Sequence, residues 1–275
     1  MSHSTVPGVA LSLLCYNEEE NLRHVVDEAI FELSQLHLPF VINVIDDGST
    51  DNTAEAARLL QGKHPEIVKL YQHDRNRGYG DAVRTALEKG LTTNFEWVGY
   101  VDGDRQFQLS EISMLIDAAS SAGATMAIGR RLHRADSLKR KLMGKGWHFV
   151  SHLMLGYKAK DTDCGFKMIR RDSVELISPR LVGHFAAVSA ELLMWSRKLG
   201  LDFVEVDVTH VPRIAGEQTG GGLTVALKSF YHLFRVWMHV NFPQSARFIA
   251  VSKHKLLPSM DRSSLQGSSM APHID

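Results

Sequence analysis

Residues 9–51 read VALSLLCYNEEENLRHVVDEAIFELSQLHLPFVINVIDDGSTD, and this stretch decides the fold. An apolar run over 9–14 gives way to a helical pattern over about 19–36, and a second apolar run follows over 40–45. That is the grammar of a strand, a crossover helix and a parallel strand. Working outward, it repeats. A helix follows Asp51, then come a strand over 67–71, a helix over about 79–89, a strand over 97–101, a helix from Glu111 and a strand over 125–128. Roughly the first half of the chain therefore reads as a doubly wound α/β unit, a mainly parallel sheet with helices on both faces. In such sheets ligands bind at the carboxyl ends of the strands, so the loops there are the places to search.

After Arg131 the grammar changes. A basic helical stretch over 138–155 is followed by a loop over 161–166, a helix around 189–198 and a strand over 203–208. These read as an elaboration of the same domain. A helix over about 220–240 places Leu223, Leu227, Phe230, Phe234 and Trp237 on one face, flanked by Lys228, His232, Arg235 and His239. Two readings of that amphipathic helix stand: it packs its stripe on the domain's own sheet, or it lies in a bilayer interface. The polar segment 251–275, with its Ser, Gly and Pro, reads as a disordered tail.

Composition narrows the partners. At 275 residues, with 44% hydrophobic and 23% charged side chains, the chain suits a soluble globular protein of one large domain or two small ones. Lys+Arg and Asp+Glu both total 31, so no global field draws it to nucleic acid, and phosphate binding must come from a local cluster. Two cysteines give no disulfide framework, which fits a reducing compartment. The start of the chain lacks a signal-peptide pattern, and no window reaches the roughly 20 apolar residues of a spanning helix. The expected location is cytoplasmic, with any membrane contact peripheral and at the inner face. The 14 histidines form no pair at metal-ligand spacing beside a carboxylate.

The chemistry sits at the strand ends. The first strand ends in Cys15-Tyr16-Asn17-Glu18 and the second in Asp46-Asp47-Gly48-Ser49-Thr50-Asp51. Ser, Thr and Asp cap helices well, so a cap is one reading of the second motif. Two acidic residues exceed what a cap requires, and a carboxylate there can hold a base N–H or a ribose hydroxyl. The fourth strand ends in Val101-Asp102-Gly103-Asp104-Arg105-Gln106. Two carboxylates one residue apart can grip a hard divalent cation, with Gln106 adding a neutral oxygen and Gly103 letting a ligand approach the backbone. The fifth strand ends in Gly129-Arg130-Arg131, and Lys139-Arg140-Lys141 opens the next helix. Guanidinium groups suit bidentate phosphate contacts, and Arg130 is placed on the ligand edge.

Taken in order, Tyr16-Asn17-Glu18, Asp47-Gly48-Ser49-Thr50-Asp51, Asn76-Arg77-Gly78-Tyr79-Gly80, Asp102-Gly103-Asp104-Arg105-Gln106, Gly129-Arg130-Arg131, Asp163-Cys164-Gly165-Phe166-Lys167 and Arg213-Ile214-Ala215-Gly216-Glu217 resemble family 2 inverting glycosyltransferases. They look most like the dolichol-phosphate mannosyltransferase branch, which also includes polyprenyl-phosphate glycosyltransferases. The resemblance implies a GT-A fold over about 1–250, with a nucleotide-sugar half over 9–131 and an acceptor half over 132–242. It implies a nucleotide-diphosphate sugar donor of the GDP-mannose or UDP-glucose type, a lipid-phosphate acceptor, and Mg2+ or Mn2+ at Asp102, Asp104 and Gln106. Tyr16, Asn17, Glu18 and Asp47 would line the nucleoside, and Arg140 would bind phosphate as a looser match. Asp104, Arg130 and Arg213 would act at the reaction centre.

In the mechanism this implies, an acceptor oxygen attacks the anomeric carbon from the face opposite the leaving diphosphate. A lipid phosphate needs no general base. A hydroxyl acceptor would, with Asp161, Asp163 and Glu191 as candidates, although Asp163 also suits a cap for the Gly165 turn. A sugar nucleotidyltransferase is disfavoured, because the loop after the first strand is acidic where a Gly-rich cationic loop is needed. A catalytically inactive nucleotide-sugar binder is opposed by the intact pair Asp102 and Asp104.

Overall fold

Strand β1 (Val6–Cys15) lies in the middle of the sheet because its sequence gives it two buried faces. Val9, Leu11 and Leu13 pack against one layer, Ala10 and Ser12 against the other, and all are shielded from solvent, as a central parallel strand requires. The computed structural model describes residues 4–132, 159–185, 187–213 and 223–242, with side chains of the last segment described from Phe230. In chain order the elements are β1, α1 (Glu19–Gln35), β2 (Phe40–Asp46), α2 (Thr53–Lys63), β3 (Val68–Gln72), α3 (Tyr79–Gly90), β4 (Phe95–Asp102) and α4 (Ile112–Ala122). Then follow β5 (Met126–Arg131), β6 (Phe166–Arg170), α5 (Arg171–Ile177), α6 (Ala187–Lys198), β7 (Phe203–Val208) and α7 (Leu223–Asn241).

The seven strands among the described residues are ordered β3-β2-β1-β4-β6-β5-β7. Pairs β1/β2, β1/β4, β2/β3 and β5/β7 are parallel, whereas β6 runs antiparallel between β4 and β5. The loop expected over 161–166 thus runs into a strand that the sequence reading omitted. Helices α1, α2 and α4 cover the Leu11 face. Helix α3 covers the other, where Ser12 Oγ donates to Ala86 O. This is the doubly wound α/β architecture of the GT-A fold.

Register makes the ligand edge. Cys15 lies opposite Asp46 and Leu14 opposite Asp102, so β1, β2 and β4 end level. The backbone continues the contact past the strands: Asp47 N donates to Cys15 O at 2.9 Å and Gly103 N to Leu14 O at 2.8 Å. Two acidic motifs therefore flank one short gap.

Helix α7 is turned relative to the expected stripe. Leu233 and Val236 are buried, whereas Phe234 is 52% and Tyr231 58% exposed. Phe230 and Trp237 are half-buried. The side chains of Leu223 and Leu227, the stretch 138–155, residues 214–217 and the tail 251–275 lie outside the described residues. The chain divides into two units, Met1–Trp237 and Met238–Asp275.

Candidate active site

The floor of the site is laid by close packing. A methyl on Gly103 would meet Cys15 Sγ at 2.6 Å and Leu14 O at 3.0 Å, so this glycine is needed to seat the loop on β1. The close packing of the loop on β1 is thus a structural reason for a glycine at 103, beside the expected one of ligand approach to the backbone. A methyl on Gly165 would overlap the Asp102 carboxylate, which places the turn before β6 directly on that side chain.

Asp102 and Asp104 stand together at the end of β4. The surrounding protein, and then the charge of Asp104, push the Asp102 carboxyl up to about 7, while Arg131 and Lys167 pull it down. Asp104 is also raised by desolvation, against the backbone N–H of Gln106, which donates to its Oδ1 at 3.2 Å. Gln106 is tied to the exit of β7: its Nε2 donates to Val211 O at 2.8 Å, and Val211 N donates to Gln106 O at 2.9 Å. Its amide oxygen is the end that could ligate a cation.

The cations divide in an unexpected way. Arg130, expected on the ligand edge, turns its guanidinium to Asp207 on β7. Arg131 is the one that turns inward. It donates through Nε and Nη2 to the two oxygens of Asp161, each at 2.7 Å, and its charge is felt by both Asp102 and Asp104. The reason is strand geometry, since consecutive side chains point to opposite faces. Arg213 pairs with Glu18 and lies 3.9 Å from Asp104 Oδ2, so its guanidinium spans the gap between the first and fourth strand ends.

Lys167 is a further group that the sequence reading quoted without a role. It is fully buried, donates to Thr162 O at 3.3 Å and to Cys164 O, and lies 5.5 Å from the centre of the Tyr100 ring. It thus folds the turn that covers Asp102. Tyr79, at the start of α3, is kept protonated by burial and by the charge of Asp102.

On the nucleoside side, most expected contacts hold loops together. Asn17, at φ 56°, accepts from Thr50 N at 2.8 Å, and its own N–H donates to Ser49 Oγ at 2.9 Å. Asp51 Oδ1 accepts from Thr53 N at 3.0 Å and so closes the turn ahead of α2, whose N-cap residue Asn52 makes no side-chain cap bond. Asp47 accepts from Arg77 N at 2.9 Å, from Gly78 N at 2.8 Å and from His73 Nδ1 at 2.7 Å. Glu18 Oε2 accepts from Asn21 Nδ2 at 2.7 Å, and Tyr16 is half-buried at the exit of β1. Arg140, with Lys139 and Lys141, lies outside the described residues.

Of the three candidate bases, two are committed elsewhere. Asp161 is locked to Arg131, and Glu191 accepts from Val182 N at 2.9 Å and Gly183 N at 2.6 Å. Asp163 is half-buried in the turn between them.

Residues 13–177 match the model of the family described as glycosyl transferase family 2. The chain is 28% identical over 221 residues to dolichyl-phosphate beta-glucosyltransferase of Dictyostelium discoideum, spanning 74% of this chain and 67% of that protein. It is 29% identical over 216 residues to polyprenol monophosphomannose synthase of Mycolicibacterium smegmatis, spanning 76% and 80%. Among solved structures it resembles glucosyl-3-phosphoglycerate synthase from Mycobacterium tuberculosis in complex with Mn2+, uridine-diphosphate-glucose and phosphoglyceric acid. The TM-score is 0.61 at 17% identity over 84% of this chain and 80% of that one, a likeness of fold.

Proposed function

We propose, from the premise that this chain belongs to glycosyl transferase family 2, that it transfers a hexose from a nucleotide-diphosphate sugar to a polyprenyl or dolichyl phosphate with inversion. The observation that carries the reading is the pair Asp102 and Asp104 at the end of β4, two carboxylates both raised by desolvation, with the charge of Asp104 adding to the rise at Asp102. Such a pair suits a divalent cation, which would remove the repulsion. Among the described residues no group of three or more His, Cys, Asp or Glu stands ready for a metal. The donor set, two carboxylates and an amide oxygen, would fit a hard divalent cation such as Mg2+ or Mn2+. Asp102, Asp104 and the Gln106 amide oxygen would hold it. When bound, the ion neutralises charge on the leaving nucleoside diphosphate.

The chain's own residues do the rest. Arg213 offers its guanidinium beside Asp104, and Arg131 offers a second cation behind both aspartates. An acceptor phosphate oxygen bonds to the anomeric carbon as the bond from that carbon to the diphosphate oxygen breaks, and the diphosphate leaves with the electron pair. No proton need be removed from an ionised phosphate. A hydroxyl acceptor would need a base, and Asp161 and Glu191 already spend their oxygens on Arg131 and on backbone amides, which narrows the candidates to Asp163. The names of the two relatives point to the phosphate acceptor. The exposed Tyr231 and Phe234 on α7 support peripheral contact with the bilayer that holds such an acceptor.

The test is a transfer assay with UDP-glucose and GDP-mannose against polyprenyl phosphate and free polyprenol. Transfer is expected to the phosphate alone. Asp104→Ala and Asp102→Ala should each lose about 100-fold or more while keeping the wild-type circular dichroism. Full activity in EDTA or in either variant would sink the metal assignment, and transfer to polyprenol would move the acceptor to a hydroxyl.

A further inference from the structure

We infer that Asp47 and His73 make the donor site select uracil over guanine; the inference rests on the donor reading above, in which Asp47 meets the nucleoside. A carboxylate oxygen only accepts, and each has two lone-pair directions. Asp47 Oδ1 already receives His73 Nδ1–H at 2.7 Å and Arg77 N–H at 2.9 Å, so it is full. Asp47 Oδ2 receives Gly78 N–H at 2.8 Å and keeps one direction. The site therefore offers a base one acceptor.

The two bases ask for different numbers. Uracil presents a single imide N–H between two carbonyls. Guanine presents a ring N–H and an exocyclic amino group side by side, which a carboxylate takes with both oxygens at once. With Oδ1 filled, a guanine would leave one donor unpaired inside the protein, and a site that fails to pair a donor rejects its owner.

His73 cannot readily step aside. Its ring is 7% exposed, and Nε2 meets Thr85 Oγ1 on α3 at 2.9 Å. The Arg77 amide is equally fixed. Gly48, at φ +69°, has the backbone of Arg75 packed where a side chain would begin, so the segment leading to Arg77 lies flat on the Asp47-Gly48 turn. His73 thus acts as a specificity-determining residue by occupying an acceptor, without touching the base.

The experiment is calorimetric titration of UDP and of GDP, each with Mg2+, into wild type, His73→Leu and Thr85→Val. Wild type should bind UDP about tenfold or more tightly than GDP, the ratio that one unpaired donor produces. His73→Leu vacates Oδ1 and should bring the ratio close to one. Thr85→Val frees the ring to turn and should shift the ratio in the same direction by less. A purely structural role would weaken both nucleotides alike and leave the ratio fixed, which overturns the inference. If His73→Leu does not fold, Thr85→Val decides on the same criterion. GDP bound as tightly as UDP by wild type overturns the inference and leaves the donor reading standing, whereas binding of neither overturns both.

Discussion

Arg130 and Arg131 share a backbone and divide the work. Arg130 pairs with Asp207 at the surface, where the two side chains are 28% and 41% exposed and solvent screens an ion pair strongly. Arg131 and Asp161 are 13% and 5% exposed, and removing one partner of a buried pair costs about 3–5 kcal/mol. Arg131→Ala should therefore lower the urea midpoint strongly and impair transfer, while Arg130→Ala stays near wild type in both; equal effects would count against the division. The sequence could not make this choice. Parity along a strand is legible when apolar and polar residues alternate, but Met126, Ala127 and Ile128 are all buried, so nothing marks which arginine turns inward. Asp102 and Asp104 were legible because their spacing and their place at a strand end are local facts. What holds Asp47 was not, since two of its three partners are backbone amides 30 and 31 residues away.

Among the elements, β6 and the helix α5 that follows it are the ones that the sequence reading omitted. The parallel strands announced themselves by strand and helix alternating along the chain, whereas β6 enters antiparallel between β4 and β5 after a long excursion. Pairing order of that kind is non-local and leaves no periodicity to read. Its effect on the site is direct, because the turn before it covers Asp102. The next turn region is held by Glu191 of α6, whose carboxyl is pushed up to about 7 by burial, although the Gly183 and Val182 amides pull it down. A folded value above the ordinary 4.5 means that the fold keeps a proton the unfolded chain releases. Stability from this group is full below about pH 4.5 and is lost as pH rises through about 7. Urea midpoints from pH 5 to pH 8 should fall in wild type, and Glu191→Gln should flatten part of that slope. An unchanged slope in the variant would assign the titration to another group, Asp102 being the next with the same sign.

For the whole molecule, the question is how the proposed lipid acceptor would meet a chain in which no helix among the described residues is long and apolar enough to cross a membrane. Helix α7 answers with two faces. Leu233 and Val236 are buried, while Phe234 and Tyr231 face outward beside Arg235, whose guanidinium lies 5.9 Å from the Tyr231 ring centre. Aromatic rings with a cation at their rim suit the headgroup boundary. Wild type should sediment with anionic liposomes, and Tyr231→Glu with Phe234→Glu should remain in the supernatant with an unchanged melting temperature. Retention of wild type in the supernatant would remove the membrane role of this face. Cys15 and Cys164 are 2% and 0% exposed, and burial pushes both thiols up, Cys164 to about 12. Maleimide dyes attack thiolates, so the folded chain is optically blank to them. A single new thiol on an outer helix, such as Leu59→Cys at a position 67% exposed, would take a fluorophore alone, and distances to a labelled vesicle could be followed without first stripping the native cysteines.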